Sequence, residues 1–267
     1  MDENKLIKYD DKQLQKVGNA IAVTSKLLAL QQKQFEFTST NLQSWWNGLD
    51  ENWQDIFESA IRIKNEPSIE QLEEILKVEA ISIWYHEINT LEPLRIFYHL
   101  RTVELSNCPS IKNIYPLSNN KKLKKLVLSG TNIENIDIVE HFTHLEELWL
   151  PDKVHDLEPV SKLLSIKNLM FRKCDKISTL EKISNLIHIE ELSISDSISD
   201  LSPIDSFQKI KRLLCLGVPE AEVSRYQKTH SFTEIIHGEA ERDRIDNLAA
   251  KLHKAADEMG SDLLTSF

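Results

Sequence analysis

From Val78 onward the apolar positions fall into a motif, L-x-x-L-x-L with conservative swaps, that returns at a step of roughly 22 residues. It reads Val78-Ile81-Ile83, Leu100-Val103-Leu105, Leu123-Leu126-Leu128, Leu145-Leu148-Leu150, Ile166-Leu169-Phe171 and Ile189-Leu192-Ile194, with a degenerate seventh at Ile210-Leu213-Cys215. A second apolar column follows each motif: Ile88, Ile111, Ile133, Val154, Ile177 and Ile198. A third lies three residues further on, at Leu91, Ile114, Ile136, Leu157, Leu180 and Leu201. Proline stands soon after it in four units, as Pro93, Pro116, Pro159 and Pro203.

Alternating apolar residues at motif positions four and six predict a short strand with one face turned inward. The later columns fill the same core layer, and the prolines keep the return path extended or tightly turned rather than α-helical. One such unit cannot bury its own apolar face, but a stack of them can. The pattern therefore predicts an α/β solenoid of about seven repeats with a parallel sheet along its concave side.

On these columns the chain resembles the short leucine-rich repeats, roughly 22 residues long, of bacterial internalin-like proteins and of phosphatase-regulatory repeat proteins. The resemblance spans about Leu76 to Gly217 and implies a protein-binding scaffold. It departs from the family at position nine, where Asn is favoured and this chain has His86, Cys108, Thr131, Lys153, Cys174 and Ser197. Cys and Thr can still donate to the turn backbone. Lys153 cannot do so from a buried site, which suggests a shortened loop there.

A solenoid leaves an apolar end at each terminus, so caps are expected. Asn41 to Lys64 reads as one helical stretch carrying Trp45, Trp46 and Trp53, followed by a short helix that Ser68 would N-cap. The tryptophans seal the open end or, on the alternative reading, line a ligand pocket. Past the last repeat the pattern predicts a helix over Pro219 to Lys228 and a final strand over Phe232 to Ile236. A long amphipathic helix follows, with Ile245, Leu248, Leu252 and Met259 along one stripe. That stripe packs on the convex side, dimerises, or docks on a partner. The segment from Met1 to Leu30 carries another helical apolar face, including Leu14, Val17, Ile21 and Leu28. Within it Val17 to Leu28 resembles a short leader of varied bacterial multi-domain proteins, which implies at most a docking tag; the alternative is one more helix on the cap. The expected divisions are an N-terminal helix over 1–34, a helical cap over 35–76, repeats over 77–217, a C-terminal cap over 218–238 and the amphipathic helix over 239–267.

Charge and composition then narrow the function. The net charge of -10 argues against nucleic acid as the main partner, since phosphate contacts need a basic surface. Six glycines, none clustered, leave no phosphate-cradling loop. The charged amino terminus has no apolar segment of a secretory leader and no run long enough to span a bilayer, so the expectation is a cytoplasmic protein without the cell-surface role of internalins. Three cysteines make no disulfide framework, and Cys108 and Cys174, three strands apart, stand about 14 Å from each other. His141 and His144 lack a partner at zinc spacing, and no nucleophile has an activating base. No metal, cofactor or enzymatic activity is expected.

Function should instead lie on the concave face. Position five there reads Ser82, Glu104, Val127, Trp149, Met170, Ser193 and Leu214. Val127, Trp149 and Met170 should form one exposed apolar patch, because neighbouring strands stand about 4.8 Å apart. Lys125, Glu147, Asp152, Asn168, Arg172 and Lys173 would supply a polar rim, with Trp84 and Tyr85 as a second aromatic pair on the first strand. Trp and Met ringed by charge is the composition of an interface hot spot. The expected function is a non-catalytic adaptor that grips another protein, with self-association through the terminal helices left open. The alternative is a stoichiometric regulator or inhibitor of an enzyme with a basic surface. The competing expectation is that one of the terminal helices lies in the concavity and covers Trp149 from within the chain.

Overall fold

A computed structural model describes residues 39–61, 67–84 and 87–263. Eight strands form one parallel sheet in strict chain order: β1 (Ala80–Trp84), β2 (Thr102–Ser106), β3 (Lys125–Val127), β4 (Glu147–Trp149), β5 (Asn168–Met170), β6 (Glu191–Ser193), β7 (Arg212–Leu214) and β8 (Glu234–Ile236). The register aligns position four in every repeat, from Ile81 through Val103, Leu126, Leu148, Leu169 and Leu192 to Leu213, and then Ile235. Positions one, four and six and both later columns face the interior. The leucine-rich-repeat solenoid expected from the columns is the fold observed. The helix expected over 1–34 lies outside the described residues, as does His86.

The return path is built from six 3-10 turns, beginning at Glu92, Tyr115, Asp137, Val160, Glu181 and Ser202. Proline occupies the first turn of three of them and directly precedes a fourth, so the segments close i to i+3 and do not lengthen into α-helix. A polar column fixes where each turn begins. The side chains of Thr90, Asn113, Asn135, Asp156, Thr179 and Asp200 each accept from the backbone N–H two residues on. Such side chains satisfy a turn's first donor, and all six repeats use one.

Repeat length varies only on one side of the molecule. The interval from the second column to the start of the next motif never changes, whether from Ile88 to Leu100, from Val154 to Ile166 or from Ile198 to Ile210. All the variation falls in the loop that leaves the strand. In the longer loops the residue at position nine is buried: the Cys108 and Cys174 thiols and the Thr131 hydroxyl donate to backbone carbonyls. In the two shortest repeats Lys153 and Ser197 are exposed instead, and position seven, Pro151 or Ser195, turns inward.

One core column carries an exception. Phe97, Phe142, Leu163, Leu186 and Phe207 line it, but the second repeat places Asn120 there. Asn120 is fully buried, and neither of its side-chain polar atoms has a hydrogen-bond partner among the described residues.

The N-terminal cap is α1 (Ser39–Asn47), α2 (Glu51–Ile61) and α3 (Ile69–Ile75). The single helix expected over Asn41 to Lys64 is broken. Gly48 closes the first helix onto the Ser44 and Trp45 carbonyls, and the Asp50 carboxylate accepts from the Trp53 N–H to start the second. The break lets both helices turn their aromatics inward. Trp53 stacks on Phe57, Phe57 stacks on Phe97 of the first repeat, and the Trp53 indole donates to the Thr90 carbonyl at 3.2 Å. These rings fill the end of the solenoid by packing on one another. Ser68 and Gln71 form a capping box at the start of α3.

At the other end α4 (Glu220–Thr229) replaces the 3-10 return, and β8 adds the last strand. Arg225 forks onto Asp205 with two bonds of 2.9 Å and also reaches Glu222, whose carboxylate accepts from the Leu201 N–H. Gly217 is required where the two last repeats meet, since a Cβ there would stand 2.0 Å from the Asp196 carbonyl oxygen. Beyond it α5 (Glu239–Leu263) extends for 25 residues.

Candidate partner-binding face

The outward columns of the sheet come from the same alternation that builds the core, so each strand offers only positions three and five to solvent. Position three is polar throughout and mixes both charges: Lys125, Glu147, Asn168, Glu191, Arg212 and Glu234. Lys125 is the hub on the N-terminal side. Its ammonium stands 2.8 Å from Glu104 and 3.3 Å from Glu147, and 6.0 Å from the centroid of the Trp149 ring. Burial would push the Glu104 carboxyl up, but hydrogen bonds from Lys125 and Ser82 outweigh it and hold it below the usual carboxylate range. The Glu104 bond in turn raises the Lys125 ammonium. Farther along, Arg212 spans Glu191 and Glu234.

This charged frame surrounds position five. Trp149 and Met170 are register partners and both are half-buried. The Trp149 indole nitrogen is shielded from solvent and has no acceptor among the described residues. A shielded donor without a partner costs on the order of 1–3 kcal/mol. Val127 departs from expectation: it is only 4% exposed and is not part of an open patch. Its short side chain lies in register between Glu104 and Trp149, and both outreach it. The accessible apolar surface is therefore Trp149 and Met170, with Leu214 half-buried two strands beyond Met170. Trp84 is exposed on β1, well away from this pair, and Tyr85 lies outside the described residues.

Of the polar rim, Lys125, Glu147 and Asn168 are half-buried at position three. Arg172 has a different role. It donates to Asp246 of α5 at 2.6 Å and holds that carboxyl below its ordinary value. One turn earlier in the helix Arg242 lies 3.4 Å from Asp196. These two pairs place α5 beside the C-terminal ends of β5 and β6, next to Met170, and not on the convex side. On its outer surface Leu248 and Leu252 are 57% and 63% exposed, and Ile245 is half-buried. The Met259 side chain lies outside the described part. Nothing in the sequence pattern marks Asp246 as the partner of Arg172, because 74 residues separate them.

Chemistry is sparse. Among the described residues no group of three His, Cys, Asp or Glu could hold a metal ion. His141 faces Glu140, at 3.8 Å. The three cysteines are buried, and burial pushes the Cys174 and Cys215 thiols up to about 12, so neither is a ready nucleophile. No helix among the described residues is long and apolar enough to cross a membrane.

No protein-family model matches the chain, and no curated protein matches it in sequence. Solved structures do match in shape. An internalin (inlF) from Listeria monocytogenes aligns over 71% of this chain with a TM-score of 0.55 and 18% identity. Internalin C2 of the same bacterium aligns over 70% with a TM-score of 0.54 and 18% identity, and 93% of its own length is covered. The chain spans 63% of the length of the first. At this identity the likeness is one of fold.

Proposed function

We propose that this chain is a non-catalytic, cytoplasmic scaffold that holds another protein against the concave face, with Trp149 and Met170 at the centre of the contact. The observation that carries this reading is the Trp149 indole, half-buried on an open sheet with its N–H unpaired and charged residues on either side. A partner that supplies an acceptor recovers that lost hydrogen bond, and the aromatic ring supplies apolar area at low conformational cost. Lys125, Glu147 and Asn168 form the rim that orients the partner. The exposed Leu248 and Leu252 on α5 supply a second surface, for a second copy of the chain or for another protein.

The test is an affinity capture from cells of the producing organism, with wild type and Trp149→Asp in parallel. The reading requires a protein retained by wild type at stoichiometric amount and lost with the folded variant. If that protein's activity changes on capture, the scaffold acts as a regulator; if it does not, as an adaptor. An identical partner set for the two chains would rule out the concave face.

A further inference from the structure

The N-terminal edge of the sheet carries a separate surface. The residue that precedes each strand is pinned by the backbone: the carbonyls of Glu79, Arg101, Lys124, Glu146, Lys167 and Glu190 each stand at the hydrogen-bonded junction between one strand and the next, and each accepts two N–H groups. That bifurcated ladder sets the side chains of this column side by side. Its carboxylates are already taken. Glu146 accepts from Lys124 and Lys167 at 2.8 and 2.6 Å, which draws its carboxyl down to about 2; Glu190 pairs with Lys211, and Glu79 with Arg101.

Two residues before this column runs another that contains no acid: His99, Lys122, His144, Ser165, His188 and Lys209, all exposed. Lys122 has no hydrogen bond or ion pair among the described residues. Lys209 Nζ lies 3.1 Å from His188 Nδ1. A trough of about 610 Å³ runs along this edge from Arg101 to Lys209. Leu164 lines it, and the same position of the next repeat is Ile187; they are 63% and 47% exposed. A chain of net charge -10 thus holds a basic, partly aliphatic strip on one edge.

We propose that this trough docks a short acidic amphipathic helix of a partner protein. Successive strands advance about 4.8 Å, close to the 5.4 Å pitch of an α-helix, so side chains one turn apart meet successive positions of this column, with carboxylates placed against Lys122 and Lys209. An extended peptide presents the same face at every second residue, roughly 7 Å apart, and falls out of step. The five strand steps from Arg101 to Lys209 cover roughly 24 Å, or about 16 helical residues. Aliphatic side chains of the helix rest on Leu164 and Ile187. Nucleic acid fits less well, since Leu164 and Ile187 offer bases no stacking surface.

The test is fluorescence anisotropy with a labelled helical peptide of about 16 residues that carries Glu and Leu on one face. The full chain is compared with Lys122→Glu/Lys209→Glu, Leu164→Asp and Trp149→Asp, each checked by circular dichroism. The expected result is saturable binding to wild type that added salt weakens. Loss of about tenfold or more in affinity is expected for the first two variants and none for Trp149→Asp, which separates this surface from the concave face. Equal affinity for the two edge variants and wild type overturns the proposal, as does absence of binding to wild type. Equally tight binding of a leucine-free polyglutamate reduces the surface to unspecific charge and also overturns it. Tighter binding of a single-stranded DNA of similar length assigns the trough to nucleic acid instead.

Discussion

The two ends of this solenoid solve the same problem to different depths. At the N-terminal end α1 to α3 drive Trp46, Trp53 and Phe57 into the core, and the Phe57 ring stacks on a residue of the first repeat. At the C-terminal end α4 and β8 complete the seal, and α5 then runs on, held at its start by two ion pairs while its leucines face water. A helix that finishes a core is stabilised by buried area. A helix tethered by exposed ion pairs gains at most about 1 kcal/mol from each. The first end completes the core, and the second leaves part of its apolar stripe uncovered.

Breaking the sealed end should have the largest effect. Trp53→Ala removes a fully buried ring and its bond to the Thr90 carbonyl, and should cost about 3–5 kcal/mol in urea unfolding. A loss below about 1 kcal/mol would show that the cap is not part of the core. Gly217→Ala tests where the core ends on the other side. Its Cβ meets the Asp196 backbone, so a loss of about 1–3 kcal/mol is expected in the same assay, marking the last repeat as tightly packed up to that residue. Asn120→Leu sharpens the picture between the ends, because it restores the apolar column and removes two unpaired polar atoms. A gain of about 1–3 kcal/mol is expected, and a loss would mean that Asn120 has a partner, such as a buried water. The smallest effect belongs to Leu248→Ser/Leu252→Ser, within about 0.5 kcal/mol of wild type. Sedimentation of that variant should meanwhile show any self-association of the wild-type chain abolished.

The inward half of the fold was legible because burial acts on every repeat alike. Positions such as Leu126, Leu148 and Leu169 share one column, and any polar residue there would stand out as a defect. The caps were legible in composition but not in shape, since the turn at Gly48 to Asp50 interrupts a stretch whose apolar spacing runs on through it. Outward residues have no such constraint, and their exposure depends on the size of neighbours on the adjoining strands. Val127 is covered for that reason, although its position in the repeat is the same as that of Trp149. The repeat pattern places Arg172 at the rim, and its link to Asp246 depends on where α5 lies, which no local pattern encodes. The basic edge was hidden by the overall charge: a total of -10 is a sum, and it carries no information on Lys122, His144 and Lys209 sharing one column.

The unchanging interval between the second column and the next motif also makes the array editable by whole units. Excision of residues 112–133 would join Ile111 to Glu134, the same neighbour that Ile133 has now, so the seam would repeat a junction the chain already contains. The shortened protein would lose β3 together with Asn120 and bring Glu104 beside Trp149. Surface residues could then be brought together in new combinations, one strand at a time, without redesign of the interior.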